Sequence, residues 1–139
     1  MTFTLREYAP DDAAAVVELW HQVGLTRPWN DPHTDIARAY KTWPQHFLVA
    51  VDSNSQIVGT VMSGYDGHRG WIYYLGVAPD RQAEGIGRAL VTEAEARLKE
   101  LGCVKIQIMV RGDNTDALRF YDSLGYEVSD VVVSGKRLD

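Results

Sequence analysis

Gln82-Ala-Glu-Gly85-Ile-Gly87 lies where the residue pattern changes from strand to helix, which makes it a candidate anion site. Glycines let backbone approach a ligand closely and adopt conformations that a side chain forbids. The first-turn N–H groups of the following helix then point at whatever occupies the turn, and phosphate fits there. A plain turn with two glycines carries the same letters, so the segment by itself leaves both readings open. A dinucleotide-binding turn needs a third glycine where this chain has Leu90, and it follows the first strand of its fold rather than a third hairpin strand. A P-loop needs Gly-Lys-Ser/Thr, which the chain lacks.

Other residues are chemically suggestive. Ala117, Phe120, Tyr121 and Leu124 form an i, i+3, i+4, i+7 stripe, so Tyr121 is either a core tyrosine with a satisfied hydroxyl or a working phenol. Arg27-Pro-Trp-Asn-Asp-Pro32 and Gly64-Tyr-Asp-Gly-His-Arg-Gly70 are polar, aromatic loops. Trp29, Asp31, Tyr65, Asp66 and His68 could line a pocket for an amine; equally, the first loop reads as a rigid capped turn and the second as a solvated hairpin. His21, His33, His46 and His68 lack metal-ligand spacing, so no metal site is expected. No Ser/His/Asp or Cys/His set stands out. Cys103, the single cysteine, excludes an internal disulfide, and its place before an apolar run predicts a buried, inert thiol.

The elements that must position these residues follow from periodicity. Residues 3–8 alternate as a half-buried strand. Pro10-Asp-Asp12 starts a helix whose apolar face is Val16, Leu19, Trp20 and Val23, stopped by Gly24. Asp31 can cap a second helix with Pro32 at its first position; Ile36, Ala39, Tyr40 and Trp43 carry its face. Strands over 47–51, 57–62 and 71–77 form a meander. A helix over 85–101 presents Ile86, Leu90, Ala94, Leu98 and Leu101, with Gly102 as its stop. A strand over 104–110, a helix over 114–124 and one or two closing strands over 125–139 complete the chain. The predicted order is β-α-α-β-β-β-α-β-α-β-β, an α/β fold with a mixed, mostly antiparallel central sheet and helices on both faces. Strand 71–77, helix 85–101 and strand 104–110 should form a right-handed crossover with parallel strands.

At 139 residues the chain reads as one domain over 1–139. No stretch approaches the ~20 apolar residues that span a bilayer, and no signal-peptide pattern opens the chain, so a cytoplasmic protein without membrane partners is expected. Net charge is −5. That argues against nucleic acid as the main partner and is compatible with a cationic acceptor.

Val77-x-Pro79-x-x-Gln82-x-x-Gly85-x-Gly87 resembles the acetyl-CoA motif of the GNAT superfamily, the Gcn5-related N-acetyltransferases. Asn114-Thr-Asp-Ala117-Leu-Arg-Phe120-Tyr121-Asp-Ser-Leu-Gly125-Tyr126 resembles the family's second segment, at the expected separation and order. The two acceptor-side loops look like segments of small uncharacterised bacterial acetyltransferases of the YpeA type. The resemblance implies acetyl-CoA as cofactor, held by Leu75, Gly76, Val77, Gln82, Ala83, Gly85, Ile86, Gly87, Arg88, Asn114, Phe120 and Tyr121. It implies that strands 71–77 and 104–110 splay at a bulge, that pantetheine pairs with the freed edge, and that the Leu75 amide faces the thioester oxygen. Tyr121 matches the tyrosine that protonates the departing thiolate. Trp29, Asp31, Tyr65, Asp66, His68 and Tyr74 would then contact the amine acceptor: a small molecule, a lysine side chain or a protein N-terminus.

Two residues depart from the pattern: Ala83 replaces the usual glycine, and Glu84 puts negative charge near a phosphate. The family's strand glutamate is replaced by Trp71, leaving Tyr73, Tyr74, or water relayed through Asp66 or His68 as candidate bases. Arg81, Arg88, Lys105 and Arg119 are candidate partners for the CoA phosphates. The rival functions are a non-catalytic acyl-CoA-binding or interaction module on the same fold, and a nucleotide-binding domain. Exposed aromatics and the C-terminal strand suggest a homodimer.

Overall fold

Alternating apolar and polar residues form β1 (Phe3–Glu7), with Phe3 and Leu5 half-buried and Thr4 and Arg6 exposed. The structure, a computed structural model, describes residues 2–139. The chain makes two compact units, one running to Met109 and one over Val110–Asp139.

In the first unit, a 3-10 turn over Pro10–Asp12 leads into α1 (Ala13–Gln22). Helix α2 (Pro32–Thr42) follows, capped by Asp31, which accepts from the His33 amide at 3.1 Å, with Pro32 at its first position. A 3-10 turn over Pro44–His46 ends that excursion. The meander comprises β2 (Phe47–Asp52), β3 (Ile57–Tyr65) and β4 (Gly70–Val77). A third 3-10 turn, Pro79–Arg81, precedes α3 (Ile86–Glu100), and β5 (Ile106–Ile108) closes the unit. Sheet order is β1-β2-β3-β4-β5, antiparallel except for the parallel β4–β5 pair. The expected crossover from β4 through α3 to β5 is present.

Helices cover both faces of this sheet. Gly59 of β3 faces α3 so closely that a Cβ there would meet Ile86 Cγ2 and Leu90 Cδ1 at 2.9 Å each. Its neighbour Thr60 points the other way and accepts a hydrogen bond from Trp20 Nε1 of α1 at 2.9 Å. Successive strand residues face opposite sides, so α1 and α3 lie on opposite faces. On the α1 side, Tyr8, Val16, Trp20, Ile36, Phe47, Val49 and Met62 form one buried cluster. On the α3 side, Ile86, Leu90, Val91, Ala94 and Leu98 are buried. Leu101, expected on that stripe, is exposed, because the helix ends at Glu100 and the chain turns at Gly102.

The second unit holds α4 (Thr115–Ser123), capped by Asn114, which accepts from the Ala117 amide at 3.2 Å.

Three expectations are corrected. The strand expected over 104–110 contracts to Ile106–Ile108, since parallel pairing with β4 involves only Gly70–Ile72. The closing strands do not form among the described residues. Val131–Val133 have strand-forming side chains but no ladder partner, and Val132 and Leu138 are 94% and 93% exposed. β-propensity describes fit to a half-buried pleated surface, and without a neighbouring edge it makes no strand. Cys103 is half-buried rather than buried, and its thiol donates to the Lys105 carbonyl oxygen at 3.3 Å.

Candidate active site

The parallel β4–β5 ladder stops at Ile72, whereas β4 continues to Val77. The outer edge of β4 from Tyr73 onward therefore has no partner strand among the described residues. The inner edge is irregular there. Met62 pairs with Tyr73 and Thr60 with Gly76, so Tyr74 and Leu75 together oppose Val61 in a bulge. Tyr74 adopts φ +52°, a left-handed conformation that costs a non-glycine residue about 1–2 kcal/mol. Its neighbours hold it there. Its ring stacks on Trp20 with centroids 3.9 Å apart. The Thr60 hydroxyl donates to its carbonyl at 2.9 Å, and its own hydroxyl donates to Asp35 Oδ2 at 2.6 Å.

Beyond β4, Gly85 takes φ +85°, ψ 5° as the N-cap of α3 and supplies no side-chain cap. The Ala89 amide bonds to the Gly85 carbonyl. The preceding amides, of Ile86, Gly87 and Arg88, are first-turn donors without intrahelical partners. With the helix dipole behind them they form an anion cradle.

The two departures in this turn have physical resolutions. Ala83 takes φ +65°, so the left-handed geometry that glycine adopts freely is present here at a cost in strain. Glu84 is paired: both its carboxylate oxygens accept from Arg81 Nε at 3.1 Å. Arg81 also donates to Asp52 Oδ2 at 2.9 Å. Arg81 is thus committed to two carboxylates and leaves the set of free phosphate partners. Arg119 pairs with Asp116 on an exposed face. Gln82 bonds back to the strand end, its Nε2 donating to the Val77 carbonyl at 3.3 Å.

The acceptor-side loops are built largely from their own hydrogen bonds. Asp31 accepts from His33 N and the Thr34 hydroxyl, which hold its carboxyl below the usual range. Asp66 accepts from the Arg69 and His68 amides and from Trp71 Nε1, and the backbone bonds hold its carboxyl low. Tyr65 donates to the Gly67 carbonyl. Both carboxylates do the work of a capped turn and a hairpin loop. His68 is exposed, and Trp29 is 56% exposed. The phenols of Tyr73 and Tyr74 are each raised by burial first, with Asp66 adding to Tyr73 and Asp35 to Tyr74. Both stay protonated at neutral pH, which disfavours either as the base.

A recess of about 220 Å³ opens on the α2 side of the sheet, lined among others by Trp43, His46, Met62, Ser63 and Tyr73. His46 is buried, its Nδ1 is 3.5 Å from the Ser63 hydroxyl, and burial lowers its pKa below 6.5. The unfolded chain therefore binds a proton that the folded one resists, so His46 stabilises fully above pH 6.5 and that contribution fades as pH falls. Wild-type protein should lose melting temperature between pH 7 and pH 5, and His46→Gln should flatten that slope; equal slopes would remove the assignment.

In the second unit, Tyr121 is 6% exposed and its ring meets Phe120 and Tyr126 edge-on, with centroids at 5.1 and 5.4 Å. Burial raises its pKa above the ordinary value. Its hydroxyl has no hydrogen-bond partner among the described residues, unlike a satisfied core tyrosine. Asn114 acts as the α4 cap, and Phe120 is half-buried beside Tyr121.

No local pattern marks Asp35 or Thr60, whose bonds to Tyr74 join residues 39 and 14 positions apart. The single cue is that β4 carries two adjacent tyrosines, an irregularity for an alternating strand. Among the described residues, no group of three or more His, Cys, Asp or Glu could hold a metal ion, and no helix is long and apolar enough to cross a membrane.

A sequence profile of the acetyltransferase (GNAT) family matches residues 14–126. An acetyltransferase of Pectobacterium atrosepticum is 49% identical over 134 residues, covering 96% of this chain and 94% of that protein. Among solved structures, Ard1 from Thermoplasma volcanium superposes with a TM-score of 0.83 at 25% identity, over 93% of this chain and 85% of that one. Naa20 of Chaetomium thermophilum, solved in complex with a bisubstrate analogue, gives 0.74 at 26% identity, over 90% of this chain and 71% of that one. The matched span takes in both the α3 turn and the Asn114–Tyr126 segment, and near-half identity over almost the full length adds sequence kinship to shared fold. This chain belongs to the GNAT acetyltransferase family.

Proposed function

We propose that this protein transfers an acetyl group from acetyl-CoA to a primary amine by direct attack. The observation that carries the reading is the pairing of an uncapped, glycine-started helix with the partnerless outer edge of β4. The first suits a pyrophosphate, the second a pantetheine chain that hydrogen-bonds as an added strand. Gln82, Ala83, Gly85, Ile86, Gly87 and Arg88 are the pyrophosphate side; Leu75, Gly76 and Val77 are the pantetheine side. Asn114, Phe120 and Tyr121 are assigned to the cofactor by the family motif they match. The bisubstrate analogue bound by Naa20 agrees with a site that takes both substrates.

In this reading the amine nitrogen attacks the thioester carbonyl carbon. The Leu75 amide donates to the developing oxyanion, and one such donor is typically worth about 3 kcal/mol. The C–S bond breaks, the Tyr121 hydroxyl gives its proton to the leaving thiolate, and solvent reprotonates the phenolate. The proton lost by the nitrogen leaves to solvent. Arg81, shared with Asp52, offsets part of the Glu84 charge that would repel the phosphates.

The rival is a module on the same fold that binds acyl-CoA without turnover. Free-thiol release from acetyl-CoA, measured over a panel of small amines, amino acids, lysine peptides and peptide N-termini, separates the two. Release that depends on an amine is expected. Binding of acetyl-CoA with no release for any acceptor would favour the module.

A further inference from the structure

Asp35, in the first turn of α2, presents a carboxylate beside the bulge, and the cap of that helix is made by Asp31 instead. Its Oδ2 accepts from the Tyr74 hydroxyl at 2.6 Å. Its Oδ1 accepts no hydrogen bond among the described residues, and no side-chain oxygen of a non-exposed residue is both buried and unpaired. Asp35 is half-buried, so Oδ1 is open to a ligand. The two loop carboxylates nearest in sequence logic, Asp31 and Asp66, are occupied by their own turns. The partner of Asp35 is held in a strained left-handed conformation, is stacked on a fully buried tryptophan, and directly precedes Leu75. Strain of this kind collects at functional sites because the surroundings must over-determine it.

We propose that the Asp35 carboxylate, aligned by the Tyr74 hydroxyl, captures the acceptor as an alkylammonium cation, which gives one proton to solvent water to become the free amine that attacks, and so selects amines as substrates. This rests on the reading of the site as an amine acetyltransferase. Tyr74 holds one carboxylate oxygen and leaves the other for an N–H donor. A charge-assisted bond of this kind is stronger than a neutral one. Asp35 is a specificity-determining residue in this scheme, and Tyr74 is a positioning residue.

The test uses the full chain labelled with ¹⁵N, titrated with n-butylammonium and, separately, with n-butanol as the neutral counterpart. Saturable shifts at the Tyr74 and Leu75 amides are expected with the ammonium ion and not with the alcohol. Asp35→Asn keeps an oxygen for the Tyr74 hydroxyl and should fold, yet weaken ammonium binding about tenfold or more. Tyr74→Phe keeps the charge and should weaken it less. In turnover, Asp35→Asn should raise KM for the amine while leaving KM for acetyl-CoA unchanged. Ammonium binding equal in Asp35→Asn and wild type, or equal response to ammonium and alcohol, would overturn the proposal and leave only a staple between α2 and β4. If wild type releases no thiol from acetyl-CoA while Asp35→Asn still abolishes ammonium binding, the acetyl-transfer reading falls and the cation site stands.

Discussion

Tyr121→Phe should lower kcat about a hundredfold while leaving acetyl-CoA affinity within about twofold of wild type, the usual size of a lost general acid. The ring is 6% exposed and meets Phe120 and Tyr126 edge-on, contacts that phenylalanine preserves. The hydroxyl has no partner to lose, so the variant should fold with little change in stability. Burial raises the pKa, so the phenol stays protonated and able to donate across the neutral range. Wild-type kcat should therefore show no fall from loss of this proton below about pH 10, the ordinary value for tyrosine. Steady-state kinetics with the best amine acceptor, together with acetyl-CoA titration by calorimetry, separate the outcomes. An unchanged kcat with wild-type stability would reduce Tyr121 to packing.

Periodicity reads α1 and α3 well because each buries a continuous face, whereas in α2 only Ile36 of the expected stripe is buried and Tyr40 is exposed. The stripes Val16, Leu19, Trp20 and Ile86, Leu90, Ala94, Leu98 are buried as spacing predicts. Caps are equally legible, since Asp31 and Asn114 act on amides two and three residues away. What local pattern cannot carry is whether a strand finds an edge. Val131–Val133 have the composition of a strand and lack a partner, and β5 is shorter than its apolar run. The candidate site divides along the same line. The α3 turn is visible because its conformation is a property of adjacent residues. Arg81 pairs with Glu84, close by, and also with Asp52 far upstream, and only the first pairing could be guessed. Asp35, Thr60 and the left-handed Tyr74 emerge only when β3, β4, α1 and α2 are assembled.

That assembly converges on Trp20, and Trp20→Ala should cost about 3–5 kcal/mol of folding stability, as large-to-small changes at fully buried aromatics do. Trp20 is 0% exposed, stacks on Tyr74 at 3.9 Å and on Phe47 at 6.4 Å, and donates to Thr60. A loss of that size is a large share of the 5–15 kcal/mol typical of a domain. Urea unfolding at pH 7.5 measures it, and a loss below about 1 kcal/mol would mean that the site collapses around the cavity. Trp20→Phe separates packing from positioning. It keeps an aromatic ring against Tyr74 but deletes the Nε1–H bond to the Thr60 hydroxyl, a change worth about 1 kcal/mol. Thr60 in turn donates to the Tyr74 carbonyl, so the bond lost at Trp20 slackens the bulge that presents Leu75. Turnover should fall more than the modest stability change accounts for, with KM for acetyl-CoA nearly unchanged. If Trp20→Phe retains wild-type kcat, the bulge is held by stacking and by Asp35 alone, and the Trp20–Thr60–Tyr74 relay has only a structural role.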